Sequence, residues 1–134
     1  MNNALSIAVS GMNAAMRRLQ VSACNIANAS TNGALPGAQA SANTERAYTP
    51  LRVDQIDLSG GGTMATVSTV SPGYIPLYDP KAPYADSHGM IATPNVDLGQ
   101  EVVQLMMARY SFAANARVVE TAAKMLKTLI DIKI

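Results

Sequence analysis

Few residues in this 134-residue chain are equipped for covalent or acid–base chemistry. Cys24 is the one thiol and His88 the one imidazole. A single Cys excludes an internal disulfide and a multi-thiolate metal site, and a single His excludes a His-pair site. Cys24 stands beside apolar helix positions and is expected to be packed and inert. Asp86-Ser87-His88 contains the residue types of an acyl-transfer triad. Three consecutive residues ahead of Gly89 form a turn, however, and do not build the triad's geometry. Ser59-Gly60-Gly61-Gly62 has the suppleness of a phosphate cradle, but no Lys-Ser/Thr follows it, so it reads as a hairpin tip. Asp54 and Asp57 do not share one face of a strand and make no metal pair. These residues give no plausible base–nucleophile couple. The chain is read as a non-enzyme with no cofactor and no metal.

Charge excludes further classes. A net charge of +1 gives no electrostatic case for nucleic acid or for direct lipid binding. No apolar run approaches the roughly 18 residues of a membrane span. The opening Met-Asn-Asn-Ala-Leu lacks a basic n-region and an apolar h-region, so no cleaved secretory signal is expected. Arg17 and Arg18, the only charges in the first 28 residues, are too few for a membrane-surface helix. A solvated face, acids of another subunit or a channel lining all remain open for them.

What must position side chains are two long helices. All seven Pro and seven of the nine Gly lie between residues 29 and 94, which leaves both flanks almost free of helix breakers. Leu5, Val9, Met12, Met16, Leu19, Ala23 and Ile26 recur at alternating four- and three-residue spacing, the pattern of a heptad seam. Leu98, Val102, Leu105, Arg109, Phe112, Ala116, Val119, Ala123, Leu126 and Ile130 repeat it, with Arg109 as a polar intruder that either snorkels or pairs across subunits. Beside them runs a second seam of Val118, Ala122, Met125, Leu129 and Ile132. Asn95 or Asp97 caps the C-terminal helix, with Gln100 completing a capping box. Asn25 and Asn28 end the first helix, either as C-caps or as amides bonding a neighbouring subunit. Asn115 sits mid-helix, where Asn is a poor former, and either fixes register or faces solvent.

The middle reads as a β-hairpin over residues 47–58 and 63–71. Irregular loop precedes it at 29–46, and Pro-rich extended chain with turns follows over 72–94. The fold class is mainly α with a small β-rich insert (α+β): terminal helices paired as a coiled coil around a turn-rich hairpin middle. Residues 1–33 with 95–134 form one unit and 34–94 a small middle domain. Two adjacent seams on one helix exceed what a single partner helix covers, so a partner is expected. Seams of Ala and Met give little surplus stability, and both termini are expected to be loose in a free monomer and ordered on assembly. Met12, Met16, Met106, Met107 and Met125 are adaptable filler for such contacts. The assembly surface is therefore expected on Leu5, Val9, Met12, Met16, Leu19 and Ile26, with Asn25 and Asn28. On the second helix it is expected on Leu98, Val102, Leu105, Phe112, Asn115, Val119, Leu126, Leu129 and Ile130.

Asn25-Ile26-Ala27-Asn28 followed by Thr31 and Gly33 resembles the N-terminal motif of bacterial flagellar rod and hook proteins. Tyr78-Asp79-Pro80, Asp86, Gly89, Pro94-Asn95-Val96-Asp97, Glu101, Ala114-Asn115 and Met125-Leu126 resemble the proximal rod proteins of the FlgC family. The resemblance spans residues 3–33 and 74–134. It implies a structural subunit exported by the flagellar type III apparatus without a cleaved signal. Such a subunit stacks with copies of itself and with other rod proteins into the periplasm-crossing shaft, which transmits torque and surrounds the export channel. The rival reading is a secreted coiled-coil adaptor or effector that binds by laying a helix in a groove.

Overall fold

The computed structural model describes residues 2–37 and 45–131. Helix α1 spans Asn2–Ala27 and helix α2 spans Leu98–Asp131. At 1.5 Å per residue these are rods of about 39 and 51 Å. Between them lie β1 (Leu51–Asp57), β2 (Thr63–Thr69), β3 (Tyr74–Tyr78) and β4 (Met90–Pro94). The strands form two separate antiparallel hairpins, β1–β2 and β3–β4. The second hairpin corrects the expectation of merely extended chain over residues 72–94. Its pairing joins a Pro-containing strand to β4, whose Ile91 and Ala92 are each only 1% exposed.

The two helices pair antiparallel: Gly11 faces Asn115, and Asn25 bonds Glu101. The seam that α2 turns inward is Glu101, Leu105, Ala108, Phe112, Asn115, Val119, Ala122 and Leu126, each buried or half-buried. Half of the expected seam is right, namely Leu105, Phe112, Ala116, Val119 and Leu126. Among the other positions the buried residue is displaced by one. Ala108 is buried where Arg109 was expected, and Arg109, Val102 and Ala123 are exposed. The cause lies on α1, whose buried positions are Ala8, Ala14, Ala15, Val21, Ser22 and Asn25. Small side chains let helix axes approach closely. The bulkier Val9, Met16 and Leu19 of the expected seam turn outward instead.

The β1–β2 hairpin lies across α1. Thr63 N–H donates to Ser10 Oγ at 3.1 Å, and Arg18 donates to Gln55. The hairpin tip closes on the helix through Gly61 and Gly62, whose φ values of +85° and +92° fall in the left-handed region that suits Gly. A Cβ on Gly62 would come within 2.5 Å of Ser10 Oγ. Ile132 of the expected second seam and part of the 29–46 loop lie outside the described residues.

Candidate assembly interface

The inner half of the interface is a polar junction that joins α1, β1 and α2. Asn25 is fully buried, with 0% exposure. Its Oδ1 accepts from Tyr48 O–H at 2.9 Å and from Leu51 N–H at 3.0 Å. Its Nδ2 donates to Leu51 C=O at 2.7 Å and to Glu101 Oε1 at 2.6 Å. All four bonds an amide can make are made. The side chain pairs with both main-chain groups of Leu51 as a neighbouring strand would. Burial, then the charges of Cys24 and Glu101, push the Tyr48 phenol above its ordinary value.

This arrangement overturns both readings of Asn25. It is neither a C-cap nor an amide offered to a neighbour, because its four partners lie within its own chain. Periodicity points to apolar positions and is blind to a polar residue whose partners lie 23 to 76 residues away. Asn28 does act as a cap, donating from Nδ2 to Cys24 C=O at 2.9 Å. Asp97 caps α2 by accepting from Gln100 N–H at 3.1 Å. Asn95 is not a cap; its Nδ2 ties the Pro72 carbonyl at 3.0 Å. Asn115 is half-buried against Gly11 and donates to Ser111 C=O at 2.9 Å. Cys24 is exposed rather than packed. Arg18 is held by Gln55 of its own chain.

Beside the junction opens a cleft of about 540 Å³ between α1, β1 and the start of α2. Val21, Pro50, Val53, Val70 and Met107 supply its apolar lining, with Arg18 and Glu101 among its polar groups. Among the described residues it holds no Cys or His, and Ser22 is its only hydroxyl. Among the described residues no three His, Cys, Asp or Glu side chains converge as a metal site. Asp86 and His88 form a turn: Asp86 Oδ1 accepts from His88 N–H and from Met90 N–H, each at 2.8 Å. The Met90 bond above all holds the Asp86 carboxyl below the usual carboxylate range.

The outward surface of both helices carries a large set of apolar side chains among its charged ones. Val9, Met16 and Leu19 stand exposed on α1, with Met16 at 59%. On α2 the exposed set includes Leu98, Val102, Val103, Met106, Met107, Tyr110, Val118, Met125, Leu129 and Ile130, the last at 66%. The 17 residues named from sequence thus divide between two environments. Val9, Met16, Leu19, Leu98, Val102, Leu129 and Ile130 face outward. Leu5, Met12, Ile26, Asn28, Leu105, Phe112, Asn115, Val119 and Leu126 are half-buried, and Asn25 is enclosed. Sequence reasoning missed Val103 and Tyr110. Both lie off the heptad positions, and their exposure follows from the rotation of α2 by one residue.

Comparison with known proteins agrees with this two-helix plan at both ends. Residues 5–34 match the family described as "Flagella basal body rod protein". Residues 87–132 match "Flagellar basal body rod FlgEFG protein C-terminal". The chain is 35% identical to the flagellar basal-body rod protein FlgC of Salmonella typhimurium, covering 95% of this chain and 94% of that protein. It is 30% identical to FlgC of Agrobacterium fabrum, over 96% and 92%. It is 27% identical to FlgC of Borreliella burgdorferi, over 97% and 95%. With both terminal helices matched and these relatives covered almost end to end, the chain belongs to the FlgC family of flagellar basal-body rod proteins and is a structural subunit of the rod.

Proposed function

We propose that this rod subunit works by packing rather than chemistry, chiefly through the apolar face that its own fold leaves uncovered. The observation that carries the reading is the division of side chains by size. Ala8, Ala14, Ala15 and Ser22 of α1 are used up inside the subunit, while Met16, Met106, Leu129 and Ile130 are left outside, each more than half exposed. An apolar face of this extent, running along both helices, is a contact surface. Copies of this chain and other rod proteins cover it in a stack. Methionine side chains adapt to unlike neighbours in such a stack. The terminal units, residues 1–33 with 95–134, supply the axial packing, and residues 34–94 supply contacts that set neighbour identity.

In this reading the stack is the periplasmic shaft that carries torque and surrounds the export channel. The subunit reaches it through the flagellar type III apparatus with its N-terminus uncleaved. Neither nucleic acid nor lipid takes part. Small buried side chains bring little apolar area out of water, so the free subunit's helices gain much of their order on assembly.

The test is Met106→Asp or Leu129→Asp. Both positions are exposed, so the isolated subunit keeps its helicity and denaturation midpoint. Burying an unpaired carboxylate between subunits costs several kcal/mol, so incorporation into basal bodies and swimming are lost. Normal swimming with either variant overturns the proposal. Leu105→Asp and Leu126→Asp are poorer tests, because both side chains are half-buried and helix pairing would fail as well.

A further inference from the structure

Each hairpin ends in strand edges, and their main-chain groups are not equally protected. In an antiparallel pair, alternate residues turn N–H and C=O toward the partner and away from it. Leu51 exchanges bonds with Asn25, and Thr63 N–H bonds Ser10, which fixes the odd-numbered residues of both β1 and β2 as outward-pointing. Gly33 exchanges bonds with Ala92 at 2.9 and 2.8 Å, which fixes Tyr74, Pro76 and Tyr78 as the outward residues of β3.

Three of the four edges are guarded. β4 is taken at Ala92 by Gly33. β3 carries Pro76, which has no N–H, at the centre of its open edge. β1 is closed at Leu51 by Asn25 and carries Arg52, Asp54 and Asp57. β2 is held only at its first residue, where Ser10 takes Thr63 N–H, and beyond that point its edge carries neither device. Thr63-Met64-Ala65-Thr66-Val67-Ser68-Thr69 contains no charge and no proline. Among the described residues the N–H and C=O groups of Ala65, Val67 and Thr69 have no main-chain or side-chain partner. Val67 and Thr69 are exposed. An unblocked, uncharged edge is a template for another strand.

We infer that the free subunit pairs with a second copy of itself, β2 against β2 antiparallel, about a two-fold axis at Val67. The copy is the fitting occupant because its own other edges are closed in the ways just given. Antiparallel pairing centred on Val67 sets Ala65 against Thr69, Val67 against Val67, and Thr69 against Ala65. All three residues are outward-pointing, so each pair exchanges both of its bonds. The flanking Thr66 and Ser68 meet as hydroxyls, and no like charges oppose one another. The product is a four-stranded sheet, β1–β2–β2–β1. Head-to-tail stacking contacts have no such axis, so this pairing belongs to the subunit before it enters the rod. The shared edge is short and the pair correspondingly weak.

Sedimentation and amide exchange of the full-length chain across a wide concentration range test this. The expected result is a mass that rises toward a dimer with concentration. Exchange at Ala65, Val67 and Thr69 slows with it. Val67→Pro removes the central N–H, which makes no bond within the subunit, and raises the dimer dissociation constant about tenfold or more. If Val67→Pro does not fold, Val67→Lys decides, because it sets two ammonium groups together at the axis. Met106→Asp leaves the dimer intact, whereas the stacking reading requires it to stop swimming, so the two ideas fail separately. A chain that stays monomeric throughout overturns the inference. So does self-association that survives both Val67 variants.

Discussion

Replacing Asn25 by alanine removes four hydrogen bonds at one stroke, and the cost can be worked from its partners. Tyr48 and Glu101 are half-buried and can turn to water. Leu51 cannot, because its N–H and C=O are fixed in the first residue of β1, with Asn25 as their partner. Two stranded main-chain groups cost about 1–3 kcal/mol each. With the lost packing of a fully buried side chain, Asn25→Ala should destabilise by about 3–5 kcal/mol. Against a total of about 5–15 kcal/mol for a domain, that loosens or melts the junction.

Asn25→Asp refines the test. Its volume is the same and it keeps the two accepted bonds. It loses the two donated ones, and a carboxylate then faces Glu101 and the Leu51 carbonyl. Enclosure and a like charge raise a carboxyl's pKa in the fold above its unfolded value of about 3.9. The sign follows from linkage: the folded form binds the proton more tightly, so stability is retained below the unfolded pKa and lost as pH rises through the folded one. Urea melts followed by helical circular dichroism should therefore find this variant close to wild type near pH 4 and much weaker at pH 7. Adding Glu101→Gln should recover part of the loss. An Asn25→Ala penalty below about 1 kcal/mol, or an Asn25→Asp penalty equal at both pH values, would refute the reasoning.

Gly11→Ala puts a Cβ 2.7 Å from Asn115 Nδ2, so it should lower the unfolding free energy by about 1–3 kcal/mol in denaturant melts despite the helix propensity gained. Asn115→Ala in the same chain should restore most of that. Tyr48 is held above its ordinary pKa, so the stability it contributes is present below the unfolded phenol value of about 10 and lost as pH rises past it. Tyr48→Phe should flatten that alkaline limb in a pH series of melts. Asp86, held below the usual carboxylate range, acts in the opposite sense: its turn is intact above the unfolded carboxyl pKa and loosens as pH falls through the folded one. Amide exchange at His88 and Met90 should speed up there, and Asp86→Asn should remove the acid dependence.

The amino-acid sequence determined the element plan. Pro and Gly confined to the middle, and four–three apolar spacing at both ends, dictate two long helices around a small β insert. Apolar excess also foretold that the helices carry more face than they can cover on each other. Local propensity and period need no knowledge of distant partners, which is why these features are legible. Tertiary structure alone decided which stripe goes inside. Ala8, Gly11 and Ala15 win the contact with α2 because close approach rewards small side chains over large ones, so Val9, Met16 and Leu19 are left outside. It alone turned Asn25 from a helix end into the tie between three elements, since the value of a buried amide depends on acceptors and donors brought from residues 48, 51 and 101. It also decided which strand edges are closed, because that depends on which neighbour reaches each main-chain group.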